Sequence, residues 1–141
     1  MRVIVSGGGT GGHIYPALSI AQELRSRGAE VLYAGGYDSV EAELAVSYGF
    51  SFAPVSSAPL HRHSLKVVGD LLTNATGIAE AKKTVRNFGA DIAIGPGGFV
   101  TAPVLMASQS LGIPTMIHEQ NAYPGVTNKL LSKEVDHVML T

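Results

Sequence analysis

Short runs of apolar and β-branched residues alternate along this chain with longer segments of helical period. This alternation is typical of an α/β fold in which helices cover a parallel sheet. The predicted strands are residues 3–6, 30–34, 52–55, 91–95, 114–118 and 136–140. The predicted helices are residues 16–27, 40–48, 65–87, 102–111 and 125–132. The sequence thus predicts a Rossmann-like, doubly wound parallel sheet.

Glycine and proline mark the ends of these elements. Pro16 is placed in the first turn of the first helix and Gly28 just past its end, which is the usual asymmetry of helix termini. In the long segment 65–87, apolar residues recur at helical spacing, and Gly69 and Gly77 are the points where that helix is expected to bend or break.

Composition limits both the size and the class of the protein. A chain of 141 residues, 45% of them apolar, can bury one core, so residues 1–141 are predicted to form a single domain. The net charge of −1 gives no attraction to nucleic acid, and the lack of cysteine excludes disulfides and thiolate metal sites. No apolar segment approaches the length that spans a bilayer, so any membrane contact is expected at the surface. The final strand-like run predicts a further domain beyond Thr141.

Three loops should meet at the carboxyl edge of the sheet, where ligands of doubly wound folds bind. Two of them are rich in glycine, and helices follow closely, so unpaired backbone N–H groups and helix dipoles face the same space. The sequence therefore predicts an anion site for a phosphate or diphosphate. The three loops are residues 7–13, 95–99 and 118–122.

The first loop also matches the dinucleotide fingerprint G-x-G-x-x-G through Gly7, Gly9 and Gly12. The carboxylate expected at the end of the second strand is absent, which disfavours NAD. His13 and Ile14 stand where a P-loop needs lysine and serine or threonine. A dinucleotide-dependent oxidoreductase is thus only a minor alternative.

Several motifs, taken together and in order, resemble the MurG family of glycosyltransferases across nearly the whole chain. They are GGGTGGHIYPA at residues 7–17, GGFV at 97–100, IHEQNA at 117–122, and the positions Gly125, Thr127, Asn128 and Lys129. The resemblance implies a GT-B arrangement of two Rossmann-like domains, in which the first holds the lipid-linked acceptor and the second holds UDP-N-acetylglucosamine (UDP-GlcNAc). Only the first is expected in this chain, with the donor-binding domain absent from it.

The resemblance also implies a reaction. GlcNAc would pass from UDP-GlcNAc to undecaprenyl-diphospho-MurNAc-pentapeptide, converting lipid I to lipid II in peptidoglycan synthesis, with inversion and without a metal or other cofactor. The implied location is the cytoplasmic face of the bacterial plasma membrane, as a peripheral protein. This chain alone is expected to be inactive. The alternative is a separate, non-catalytic acceptor-binding or recruiting subunit of a split glycosyltransferase.

Residue roles follow from the same resemblance. Thr10, Gly11 and Gly12 would line the acceptor diphosphate, and His13 would activate or orient the acceptor hydroxyl. Asn121 would hold the acceptor sugar as a second catalytic residue. The remaining predicted substrate-binding residues are Gly97, Gly98, Phe99 and Glu119. Phe99 stands where the family usually has tyrosine, and Pro96 is a second departure.

Some residues have simpler explanations. Asn121 could cap the next helix, and His118 with Glu119 gives only half of a zinc motif, so these two are expected to shape the loop. His61 and His63 are expected to lie in a solvated loop rather than to bind a metal.

The basic and apolar segment around residue 66 has two interpretations. It could contact anionic lipid headgroups, or it could be an amphipathic helix that packs on the sheet. The membrane-contact candidates are Arg62, Leu65, Lys66, Val68 and Leu72.

Overall fold

A computed structural model describes residues 1–59 and 66–141, and these form one six-stranded sheet with helices on both faces. The strand order is β3-β2-β1-β4-β5-β6, and every neighbouring pair is parallel. The strands are β1 (Arg2–Gly7), β2 (Glu30–Gly35), β3 (Ser51–Pro54), β4 (Ile92–Gly97), β5 (Thr115–Glu119) and β6 (His137–Leu140). The helices are α1 (Gly11–Ser26), α2 (Val40–Ser47), α3 (Val67–Phe88), α4 (Thr101–Ser110) and α5 (Val126–Leu131).

The central strand β1 separates two hydrophobic cores. Val3 and Val5 point to the face covered by α1 and α2, whereas Ile4 between them points to the face covered by α3, α4 and α5. Strand order reverses between β1 and β4, so the loops that follow these two strands lie side by side. The predicted doubly wound parallel sheet is confirmed.

Helix α1 begins earlier than predicted. It starts at Gly11, so Pro16 lies inside the helix rather than in its first turn. Proline has no N–H, and the carbonyl of Gly12, four residues earlier, therefore lacks its intrahelical donor. The predicted start at residue 16 was wrong, and the Gly12 carbonyl oxygen accepts instead from Nε2 of Gln120 at 2.7 Å.

Helix α3 runs unbroken through Gly69 and Gly77, so it does not break at either glycine. Gly77 is buried, and a Cβ atom there would overlap the carbonyl oxygen of Ser56. The glycine allows α3 to lie against the chain that follows β3. The covered face of α3 consists of Gly77, Ala81 and Val85.

The amino-terminal half of α3 is apolar but uncovered. Val68 is 62% exposed and Leu72 66% exposed, with Leu71 exposed between them. These three apolar side chains therefore do not pack on the sheet, whereas Asn74 on the other side of the helix bonds to the backbone of Ala58. Lys66 is also exposed, whereas Arg62 and Leu65, like His61 and His63, lie outside the described residues. Within residues 1–59 and 66–141, no helix has both the length and the apolar character needed to cross a bilayer.

Candidate functional site

The first turn of α1 carries backbone donors at the carboxyl edge of the sheet. Thr10 is the N-cap residue, its side chain makes no capping hydrogen bond, and the first turn holds no acidic residue. Gly11 and Gly12 are exposed, and no acceptor among the described residues takes their N–H groups. A helix amino terminus with open N–H groups carries a partial positive charge. The local structure suits an anion.

The loop after β4 presses against the loop after β1. Gly98 has a φ of 90°, and a Cβ atom on it would overlap the carbonyl oxygen of Gly8. Phe99 covers Gly9 from the same side, since a Cβ atom on Gly9 would lie 2.6 Å from the Phe99 ring. Gly97 is buried. Substrate contact by Gly97, Gly98 and Phe99 stays a prediction, whereas their contact with the first loop is observed.

Pro96 lies at an irregularity in the sheet. The pairing of β1 with β4 shifts register between Val5 and Gly7, so β4 has one extra residue there. Proline is tolerated at such a point because no ladder N–H is needed. The Pro96 carbonyl oxygen is 3.2 Å from His13 Nδ1 and 3.4 Å from Asn128 Nδ2. The bulge thus directs a carbonyl at the predicted catalytic histidine.

His13 is half-buried and is held at one ring nitrogen. Its Nδ1 atom is 3.2 Å from the Pro96 carbonyl oxygen and 3.2 Å from Nε2 of Gln120. Its Nε2 atom has no hydrogen-bond partner among the described residues. The three loops therefore converge on the Nδ1 side of His13.

Glu119 organises the loop that follows β5. It is 3% exposed, and its Oε1 atom accepts hydrogen bonds from the backbone N–H (2.9 Å) and the side chain (3.0 Å) of Asn121. Its Oε2 atom accepts from the backbone N–H of Gly125 (3.1 Å) and from Asn128 Nδ2 (2.9 Å). Burial alone would raise the pKa of the Glu119 carboxyl, but these hydrogen bonds outweigh burial and lower that pKa. The predicted loop-shaping role fits this geometry.

Asn121 is exposed beside that carboxylate. It does not cap the next helix, because α5 has Gly125 as its N-cap and no side-chain cap. His118 contacts Thr141 through Nε2 at 2.6 Å. The predicted contact of Asn121 with the acceptor sugar stays a prediction.

The sequence did not reveal two side chains that hold the first loop from the other side. The hydroxyl of Tyr33 donates to the Gly7 carbonyl oxygen at 2.6 Å, and burial, followed by the charge of Glu41, raises the pKa of Tyr33. Glu41 is 4% exposed and accepts from the backbone N–H groups of Gly36 (3.1 Å) and Gly9 (3.5 Å). The signal available in the sequence was a tyrosine within the predicted strand 30–34.

A cavity of about 700 Å³ opens beside the first turn of α1. Its described lining offers hydroxyl groups and aromatic rings, with Glu41 as the carboxylate and neither lysine nor arginine. Among the described residues, the backbone N–H groups at the start of α1 are the donors that would meet an anion next to this cavity. Residues that line it include Gly9, Thr10, Gly11, Tyr15, Tyr37, Ser39, Glu41, Ser56, Ser57, Thr73 and Phe99.

This fold and loop arrangement define a Rossmann-like α/β domain with its ligand loops at the carboxyl edge of the sheet. The family described as the glycosyltransferase family 28 N-terminal domain matches residues 3–140. The chain therefore belongs to glycosyltransferase family 28 as its N-terminal domain.

Individual relatives agree with the family. The chain is 45% identical over 141 residues to a protein of Halothermothrix orenii named UDP-N-acetylglucosamine--N-acetylmuramyl-(pentapeptide) pyrophosphoryl-undecaprenol N-acetylglucosamine transferase; the match covers 99% of this chain and 38% of that protein. A protein of the same name from Alkaliphilus oremlandii is 47% identical over 147 residues, covering 100% of this chain and 39% of that protein.

A solved structure gives the same result. The crystal structure of Acinetobacter baumannii MurG matches with a TM-score of 0.88 at 28% identity, over 99% of this chain and 41% of that one. The predicted resemblance to the MurG family is confirmed, and the oxidoreductase alternative is not favoured. The chain spans about two fifths of the length of these relatives.

Proposed function

We propose that this chain is the acceptor-binding part of a transferase that moves GlcNAc from UDP-GlcNAc to undecaprenyl-diphospho-MurNAc-pentapeptide. The names of relatives at 45–47% identity support this reaction. The observation that carries the proposal is the convergence of the open α1 terminus, the Pro96 bulge and the Glu119 loop around His13. UDP-GlcNAc would bind a second, donor-binding domain.

The acceptor diphosphate binds at the amino terminus of α1. Its charge is met by the N–H groups of Gly11 and Gly12 and by the helix dipole, with Thr10 at the rim. A dipole end contributes only about 0.3–1 kcal/mol per charge, so the hydrogen bonds are also needed. The MurNAc sugar then lies between His13 and Asn121.

The transfer itself is a displacement with inversion. The acceptor hydroxyl oxygen bonds to C1 of GlcNAc while the bond from C1 to the UDP oxygen breaks and UDP departs with the electron pair. The hydroxyl proton leaves as the new bond forms. His13 is placed either to take that proton through Nε2 or to hold the hydroxyl by donating to its oxygen.

The test is transfer of radiolabelled GlcNAc to a lipid-linked acceptor. Three samples are compared: this chain alone, this chain mixed with the separately expressed donor-binding domain of the Halothermothrix orenii relative, and a chimera. In the chimera, this chain replaces the matching 141 residues of that relative. We expect no transfer by the chain alone and transfer by the chimera. A folded chimera that makes no product would overturn the proposed function.

The mixed sample addresses the split-transferase alternative. Transfer at comparable rates in the mixture and in the chimera would favour a separate acceptor-binding subunit that recruits its donor-binding partner. Transfer by the chimera only would favour two domains of one enzyme.

The exposed half of α3 is the proposed contact with the anionic cytoplasmic face of the membrane. Val68, Leu71 and Leu72 are uncovered apolar side chains and Lys66 precedes them. Apolar insertion next to basic residues is how a peripheral protein binds anionic lipid. Peripheral attachment would bring the α1 terminus to a lipid-linked substrate.

Two valines of equal exposure provide a matched test of this contact. Val68 on α3 and Val46 on α2 are each 62% exposed. If α3 inserts, Val68→Glu removes burial of about 1.5 kcal/mol and weakens binding to phosphatidylglycerol vesicles about tenfold. Val46→Glu in the same chimera should bind as wild type. Equal vesicle binding by the two variants would exclude α3 as the contact.

A further inference from the structure

Gln120 joins the loop after β5 to the first turn of α1. Its Nε2 atom donates to the Gly12 carbonyl oxygen at 2.7 Å across 108 residues of sequence. That carbonyl is available because Pro16 cannot supply the usual helical N–H. The contact also fixes the amide orientation, since a flipped amide would place its Oε1 atom against the Gly12 oxygen.

The same amide nitrogen faces His13. Gln120 Nε2 is 3.2 Å from Nδ1 of His13, and its second hydrogen has no other acceptor among the described residues. A neutral imidazole has one nitrogen with a hydrogen and one with a lone pair. Two groups face Nδ1 at 3.2 Å, the Gln120 amide nitrogen and the Pro96 carbonyl oxygen, and the balance between this donor and this acceptor decides which nitrogen carries the proton.

Counting hydrogen bonds distinguishes the two tautomers. With a proton on Nδ1, that N–H would donate to the Pro96 carbonyl oxygen at 3.2 Å, but it would also face an N–H group of Gln120 at 3.2 Å, and the second hydrogen of Gln120 would have no acceptor among the described residues. With a lone pair on Nδ1, Gln120 donates to it, and the Pro96 carbonyl oxygen still accepts from Asn128 at 3.4 Å. Leaving the second N–H of Gln120 unpaired in a partly buried site costs more free energy than leaving the Pro96 carbonyl oxygen with one partner instead of two. The second tautomer is favoured.

We propose that Gln120 is a positioning residue that keeps the proton of neutral His13 on Nε2, so that His13 orients the acceptor by donating a hydrogen bond rather than by removing a proton. The inference rests on the proposed function. The acceptor oxygen attacks C1 while an Nε2–H group holds it, UDP leaves with the bonding pair, and the hydroxyl proton passes to solvent water.

The tautomer can be measured without any catalytic activity. In the ¹⁵N-labelled 141-residue chain, long-range ¹H–¹⁵N correlation distinguishes protonated from unprotonated imidazole nitrogens, and His13→Ala identifies the His13 signals. We expect an unprotonated Nδ1 in the wild type at neutral pH and a shift toward protonated Nδ1 in Gln120→Ala. A protonated Nδ1 in the wild type would overturn the proposal.

Pro16→Ala separates the two contacts of Gln120 in the chimera. Alanine at position 16 restores an N–H that can donate to the Gly12 carbonyl, so removal of Gln120 no longer leaves that oxygen unpaired. If Gln120 only satisfies this carbonyl, Pro16→Ala restores full activity to Gln120→Ala. If Gln120 positions His13, stability recovers but kcat stays about tenfold low while KM changes less.

Gln120→Glu in the Pro16→Ala background reverses the polarity at Nδ1. A carboxylate accepts from Nδ1–H and so leaves the lone pair on Nε2, where a base would need it. The proposal expects kcat to fall further, by roughly 100-fold. Activity equal to or above that of Gln120→Ala would overturn it.

Gln109→Ala is the matched control. It removes the same side chain from the last turn of α4, whose helix runs away from the carboxyl edge of the sheet, and its kcat should equal that of the wild type. An inactive wild-type chimera would count against the proposed function, whereas the tautomer measurement would still decide the role of Gln120.

Discussion

The two glycine-rich loops look alike in sequence but use glycine differently. In the loop after β1, Gly11 and Gly12 are exposed, and a methyl group on either would meet only ordinary contacts at 3.6–3.8 Å. In the loop after β4, Gly97 is buried and Gly98 lies against the backbone of Gly8. At Gly11 and Gly12, glycine keeps the amino terminus of α1 open to a ligand, whereas at Gly98 it lets the second loop touch the first.

Gly98→Ala should give the largest change in stability. The new Cβ atom would overlap the Gly8 carbonyl oxygen in a backbone conformation with φ of 90°, which side chains rarely adopt. Overpacking and backbone strain together predict a loss of roughly 3 kcal/mol or more in the free energy of unfolding. Urea denaturation measures it. A loss below about 1 kcal/mol would mean that the two loops are not in contact.

Glu119→Gln should give an intermediate change in the free energy of unfolding. The third loop is held by hydrogen bonds to the Glu119 carboxylate, whereas the second loop depends on glycine. An amide has one acceptor oxygen where Glu119 uses two, so a donor such as that of Gly125 faces an NH₂ group. Loss of one charge-assisted hydrogen bond predicts about 2 kcal/mol at pH 7.

The pH dependence of Glu119→Gln provides a second measurement. The pKa of Glu119 in the folded protein is below its ordinary value of 4.5, so its stabilisation is fully present above that value and is lost as the pH falls through the folded-state pKa. Wild type should therefore lose more stability than Glu119→Gln on acidification below pH 4.5. If the free energy of unfolding fell equally with pH in the two proteins, the Glu119 carboxylate would not be what stabilises this loop.

Gly12→Ala should give the smallest change in stability, and of opposite sign. Its nearest neighbour would be the Thr10 hydroxyl at 3.8 Å, and alanine favours the helix by roughly 0.5 kcal/mol. The added methyl group should crowd the diphosphate and raise the acceptor KM of the chimera several-fold. If Gly12→Ala destabilised the fold as much as Gly98→Ala, the distinction between the loops would be lost.

Local patterns predicted the elements well, but not which side of a helix is covered. All six strands occur close to their predicted positions, because alternation and β-branched runs are local properties. In α3 the apolar stripe that includes Val68 and Leu72 is exposed, whereas the small residues Gly77 and Ala81 face the core. Small residues allow close approach, which a hydrophobicity pattern does not record.

The sequence predicted the parts of the site that depend on residues within one loop, but not the contacts between distant loops. The glycine-rich loop 7–13 predicted an open helix terminus from sequence alone, although α1 begins at Gly11 rather than at residue 16. Gln120 and Glu41 were missed because their partners, Gly12 and Gly9, lie 108 and 32 residues away. Pro16 misled the placement of α1 for the same reason, since the donor that compensates for it comes from a distant loop.

The position of β1 in the middle of the sheet also affects how the chain folds. β1 pairs on one side with the early β2 and on the other with the late β4, and the backbone N–H of Arg2 donates to the side chain of Asp91 across 89 residues. Long loop closure before pairing slows folding, and during synthesis one edge of β1 has no strand partner until β4 has left the ribosome. An unpaired apolar edge at that stage is prone to pair with other chains. Expression yield should therefore depend on how quickly residues 92–97 follow the first three strands.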